Sequence, residues 1–277
     1  MALGTVSAEL PFLQEAPWLG YFAVHESKGY HFKIAAANGK VVLAPLSSKG
    51  EPVAERLNIV IAFGLVETLP NGKTAVRPIR ADTLESTDPA TDKLRKCVIR
   101  GKTAGDASLE ITIEEARGMI IVGSRVLDPG TLKNPVCPSI TAVFPGAEPK
   151  SGAPKEKVEL DERDAKRAAK KEAKAAEEKL MENVVELKWT DGKRQKLTFG
   201  EVVDAGSPEI NGPGIAAAEL AITAYGGKKI SLTAAPNSAM KLANSKPASL
   251  NEGFSIQWSP DLAKDKDGQA RLALEVK

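Results

Sequence analysis

At 277 residues, with 42% apolar and 27% charged side chains, the chain is neither disordered throughout nor a collagen nor a coiled-coil rod. Its 38 Lys+Arg against 36 Asp+Glu leave a net charge of +2, so no global field drives it to nucleic acid or to an anionic membrane surface. The length exceeds one small β-domain and suits two.

Met1 to Leu10 has neither a basic segment nor a long apolar run, so no intact signal peptide is read there, although Val6-Ser7-Ala8 has the small-x-small character of a cleavage site. An extracytoplasmic setting, periplasmic or secreted, is expected because the remaining features resemble secreted β-proteins. Trp18, Tyr21, Phe22, Tyr30 and Phe32 then concentrate much of the sparse aromatic content. Exposed together, Trp18, Tyr21 and Tyr30 would make a stacking platform for sugars or a partner surface; packed inward they would be core. The only histidines, His25 and His31, flank Lys28-Gly29, so a hairpin could bring them with Glu26 towards a metal, or leave both on a half-exposed sheet. Their spacing matches no metal signature, and no metal or cofactor is assigned.

Short β-type runs follow from Tyr21 to His25, Tyr30 to Ala36, Lys40 to Ala44, Leu57 to Val66, Lys73 to Ile79, Lys96 to Ile99, Ser108 to Ile113 and Met119 to Val122. Asn38-Gly39 and Asn71-Gly72 predict two-residue hairpin turns of type I′, in which both central residues take positive φ. Leu109, Ile111 and Ile113 line one strand face. The longest uncharged apolar run, Asn58 to Val66, falls far short of the roughly 18–20 residues of a membrane helix, so no transmembrane segment is expected. Cys97 and Cys137 belong to no C-x-x-C; in an oxidising compartment they could close a disulfide, and in cytosol they would be two buried thiols.

From Pro145 a Pro/Gly-rich stretch gives way to an Ala/Lys/Glu run whose helix propensity is the highest in the chain. A helix from Leu160 to Glu182 would measure about 35 Å, with little to bury, and would act as a solvated spacer. Arg163, Lys166, Arg167, Lys170 and Lys174 would form a basic stripe able to track phosphates, but equal numbers of acidic residues and no interleaved aromatics argue against nucleic acid.

Beyond it, Val184 to Trp189, Lys196 to Phe199, Ala218 to Ala224, Lys229 to Thr233, Gly253 to Trp258 and Arg271 to Val276 read as strands, with turns at Asp191-Gly192, Gly226-Gly227 and Asp267-Gly268. Pro52, Ile59, Ile61 and Phe63 recur 195 positions later as Pro247, Phe254, Ile256 and Trp258, which reads either as a duplication or as two strands that alternate alike.

These elements predict an all-β protein of two β-sandwich-like domains, 1–144 and 183–277, joined by the linker and charged helix of 145–182. No nucleophile elbow, zinc-protease helix or phosphate loop occurs. The expected function is a non-catalytic binding or structural module recognising a protein or carbohydrate through loops or strand edges. The alternatives are a hydrolase of polysaccharide or peptide drawing on His25, His31 and carboxylates, and a polyanion binder using the 163–174 stripe. The oligomeric state is left open.

Overall fold

The computed structural model describes residues 10–146, 167, 182–211, 214–236, 238–244, 246–260 and 270–277. In the first half the strands are β1 Tyr21–Glu26, β2 Tyr30–Ala35, β3 Val41–Pro45, β4 Ile59–Thr68, β5 Thr74–Pro78, β6 Lys96–Lys102, β7 Ser108–Ala116, β8 Met119–Asp128 and β9 Val136–Phe144. The second half supplies β10 Val184–Trp189, β11 Arg194–Thr198, β12 Val202–Val203, β13 Ile215–Ala221, β14 Lys229–Ala234, β15 Ser238–Leu242, β16 Ala248–Ser249, β17 Phe254–Pro260 and β18 Ala270–Val276. The period of two explains the strands: β2 alternates buried Tyr30, Phe32 and Ile34 with half-buried His31, Lys33 and Ala35. On β7, Leu109, Ile111 and Ile113 all point inward.

The all-β reading stands, but the two separate sandwich domains do not. Sixteen strands form one sheet in the order β1-β2-β3-β4-β9-β17-β15-β13-β14-β18-β8-β7-β6, with β5 beside β4, β10 beside β13 and β11 beside β10. The second half is therefore inserted between two strands of the first. It joins them at two seams, β9 with β17 from Phe144↔Phe254 to Ile140↔Trp258, and β8 with β18 from Ser124↔Ala270 to Ile120↔Leu274. The physical reason is burial: β8 and β9 would otherwise end in unpaired ladders, and one core unites Phe32, Ile61 and Ile113 with Trp189, Leu232 and Trp258. Each buried Ile or Leu in that core contributes about 1.5–3 kcal/mol relative to exposure. Of the expected spacer helix, only Arg167 and Glu182 are described, both exposed. The rest of 147–181, including Arg163, Lys166, Lys170 and Lys174, lies outside the described residues, as does Asp267-Gly268.

The recurrence at 195 positions has a structural counterpart. β4 and β17 flank β9, and Ile61 and Ile256 both oppose Ala142 while Phe63 and Trp258 both oppose Ile140. The two similar patterns are the two sides of one set of sheet rows.

The path ends at β1 and β6, and residues 80–94 cover both. At β6, Glu85 and Arg100 exchange backbone hydrogen bonds, Arg80 N–H donates to Lys102 C=O, and the Asp88 carboxylate accepts from Val98 N–H at 2.7 Å. At β1, Thr91 N–H donates to Phe22 C=O, Val24 N–H to Thr91 C=O and Leu94 N–H to Val24 C=O. One connection thus draws the sheet nearly closed.

Candidate functional site

The hairpin of β1 and β2 sorts the sequence-selected residues by strand parity. Glu26 opposes His31 and Val24 opposes Lys33, whereas His25 opposes Phe32, so the two histidines lie on opposite faces. They cannot meet at one metal or one substrate bond. Among the described residues no group of three His, Cys, Asp or Glu could hold a metal ion.

On the inner face, the Tyr30 ring is buried, 5.8 Å from that of His25, and its hydroxyl donates to Gly118 C=O at 3.4 Å. Burial, with the nearby Glu115 carboxylate adding to it against a hydrogen bond from Ser27, pushes the Tyr30 hydroxyl up to about 12. Tyr30 is therefore core and presents no platform.

On the outer face the remaining aromatics do converge. Half-buried Trp18, in the segment leading into β1, meets Tyr21 edge-on at 6.0 Å and His31 edge-on at 5.4 Å between ring centroids. The Lys33 ammonium lies 5.2 Å from the Tyr21 ring centre and 5.9 Å from that of Trp18. Burial holds the His31 imidazole below its ordinary value, with Lys33 acting the same way and Glu26, 3.8 Å away, opposing. His31 is thus mostly neutral at pH 7 and serves Trp18 as a ring neighbour.

Trp18 borders a groove of about 480 Å³ whose other lining includes Gln14, Glu15, Glu26 and Asp92. The side chains of Gln14, Glu15 and Asp92 have no hydrogen-bond or ion-pair partner among the described residues. A half-buried indole can stack on an apolar ring face while the unengaged carboxylates beside it accept hydrogen bonds from hydroxyls around that ring's rim. Gln14, Glu15, Lys33 and Asp92 escape a sequence reading. Asp92 joins Glu26 in lining the groove only because the 80–94 connection closes against β1, and nothing local signals that.

A second groove, about 310 Å³, lies over β10, β13, β14 and β18. Its carboxylates are already matched: Glu186 with Arg194 at 3.5 Å, Glu219 with Lys229 at 2.6 Å, Glu275 with Lys277 at 3.0 Å. Cys97, buried on β6, and Cys137, half-buried on β9, are free thiols on strands that do not pair. Burial, with the Asp88 charge adding to it, pushes the Cys97 thiol up to about 12, which leaves it unreactive at neutral pH. No helix among the described residues is long and apolar enough to cross a membrane.

No protein family and no curated protein matches the sequence. The fold resembles that of the α-N-acetylgalactosaminidase NagBb from Bifidobacterium bifidum in complex with GalNAc, at TM-score 0.52 and 9% identity, over 92% of this chain and 35% of that one. A quadruple mutant of the same enzyme gives TM-score 0.52, 9% identity and 92% and 36% coverage. A putative aldose 1-epimerase from Escherichia coli K12 gives TM-score 0.43 at 9% identity, over 92% and 98%. At such identity the likeness to NagBb establishes the fold alone, and this chain spans about a third of that enzyme's length.

Proposed function

We propose that the protein is a saccharide-binding β-module whose recognition surface is the groove beside Trp18. The observation that carries this reading is the indole bordering a groove of about 480 Å³ beside Glu15 and Asp92, whose carboxylates have no partner among the described residues. A sugar ring offers the matching surface, one C–H face for the indole and a rim of hydroxyl donors for Glu15, Glu26 and Asp92. The fold shared with an enzyme whose name and ligand are those of an N-acetylgalactosaminide supports the same class of partner. An extracytoplasmic setting, expected from the sequence, suits a polysaccharide partner. The part of the hydrolase alternative that draws on His25 and His31 together loses its basis, because the two face apart.

Tryptophan fluorescence tests this directly, since Trp189 and Trp258 are both buried at 1% exposure and Trp18 is the remaining indole. Titration with GalNAc, galactose and neutral oligosaccharides is expected to shift the emission, and Trp18→Ala to weaken binding about tenfold. No response to any saccharide, or equal affinity in Trp18→Ala by calorimetry, would overturn the proposal.

A further inference from the structure

A charged cluster outside that groove extends the reading. Glu110 on β7 opposes Arg100 on β6 and Arg125 on β8, so three charged side chains share one row across three strands. Arg100 donates from Nε and Nη2 to Glu110 Oε2 at 3.1 and 2.9 Å. Arg125 donates from Nε to Oε1 at 2.8 Å, with its Nη2 2.6 Å from the same oxygen. The Glu110 side chain is 9% exposed, whereas the two arginine side chains are 53% and 46% exposed. Burial raises the Glu110 carboxyl, but the hydrogen bonds and charges of Arg100 and Arg125 outweigh it and hold the group ionised.

One carboxylate thus fixes two guanidiniums, and the cluster carries a net +1. Each guanidinium has five N–H donors in a rigid fork and spends only its Nε–Nη2 side on Glu110. Their Nη1 groups have no partner among the described residues, on side chains that are about half exposed. Such paired, pre-oriented forks match planar carboxylate or tetrahedral sulfate oxygens. If Glu110 served only to tie the strands together, a single arginine would have neutralised it.

We propose that Arg100 and Arg125 bind an anionic substituent, carboxylate or sulfate, of an acidic polysaccharide, so that the module's ligand class is acidic glycans. This rests on the saccharide reading above. One connection, residues 80–94, runs past both places. Glu85, bridged to Arg100, and Asp92, in the Trp18 groove, are seven residues apart, a backbone reach of at most about 25 Å.

The experiment compares oligogalacturonate, which carries carboxylates, dextran sulfate, which carries sulfates, and neutral dextran, with inorganic sulfate as a separate probe in thermal melts. The intact protein is expected to prefer one acidic polymer over dextran, with affinity falling as salt rises. Arg100→Gln and Arg125→Gln, each leaving Glu110 one partner, should weaken that polymer about tenfold and leave neutral-saccharide binding unchanged. Arg125→Lys keeps a charge for Glu110 while losing the fork, and should also bind weakly with an unaltered melting temperature. Dextran bound as tightly as both acidic polymers, or variants that bind as the wild type does, would remove the anion site and leave the saccharide reading standing. If no saccharide binds while sulfate still raises the wild-type melting temperature and not that of the variants, the saccharide reading falls and the glycan ligand class with it.

Discussion

Gly226 meets two demands at once. Its φ of +65° is left-handed, and a Cβ there would lie 2.7 Å from the backbone nitrogen of Ser48. Its neighbours pin the same loops together: Lys228 Nζ donates to Leu46 C=O at 2.6 Å and Ser47 C=O at 3.0 Å, and the Tyr225 hydroxyl donates to Leu57 C=O at 3.0 Å. Gly226→Ala is expected to cost about 1–3 kcal/mol in urea unfolding, and Tyr225→Phe about 1 kcal/mol. Acid sensitivity also belongs at this scale. The Asn134 amide and then the Arg77 guanidinium hold the Glu67 carboxyl below its ordinary value, and the Gly118 N–H and then Arg95 do the same for Glu115. Folded values below the unfolded value of about 4.3 mean stability that is complete above that pH and is lost as pH falls through the folded values. Glu67→Gln should therefore destabilise at pH 7 and flatten the acid limb of a stability-versus-pH curve; parallel limbs in mutant and wild type would contradict this assignment.

Among elements, hairpins and alternation are legible in the sequence, and turn type and partner choice are not. The hairpins at Asn71-Gly72 and Asp191-Gly192 form, but only the glycines have positive φ, at 76° and 89°. Gly72 N–H donates to Leu69 C=O and Gly192 N–H to Trp189 C=O, which makes each a type I turn closed by a left-handed glycine, a three-residue loop in place of type I′. The Asn71 and Asp191 side chains accept from the backbone N–H two residues on, and this bond favours that form. The sequence reading missed β15, the short β12 and β16, and β9, the centre of the first seam. Pro138 disguises it, and is tolerated because β17 pairs with β9 only from Ile140 onward. Of the recognition surface, Trp18, Tyr21 and His31 could be singled out in advance, whereas Asp92 needed the closing connection. That connection predicts a local effect. Thr91→Pro removes the N–H that Phe22 C=O accepts and should speed amide exchange in Phe22–Val24 without altering β13 or β14.

For the whole molecule, the seams make two halves of sequence into one folding unit. Residues 1–146 alone would leave β8 and β9 unpaired along the ladders that β18 and β17 occupy, and would strip the second half's side chains from the shared core. That fragment is expected to fail to fold as a monomer by circular dichroism and gel filtration, and the full chain to melt in a single calorimetric peak. A fragment with native-like dispersed amide signals would refute the single unit. The 80–94 connection has a corollary for durability. Because the same few residues lie against both terminal strands, one protease nick between Asp88 and Thr91 would bare two adhesive borders together, turning a self-contained molecule into a seed for strand-by-strand accretion.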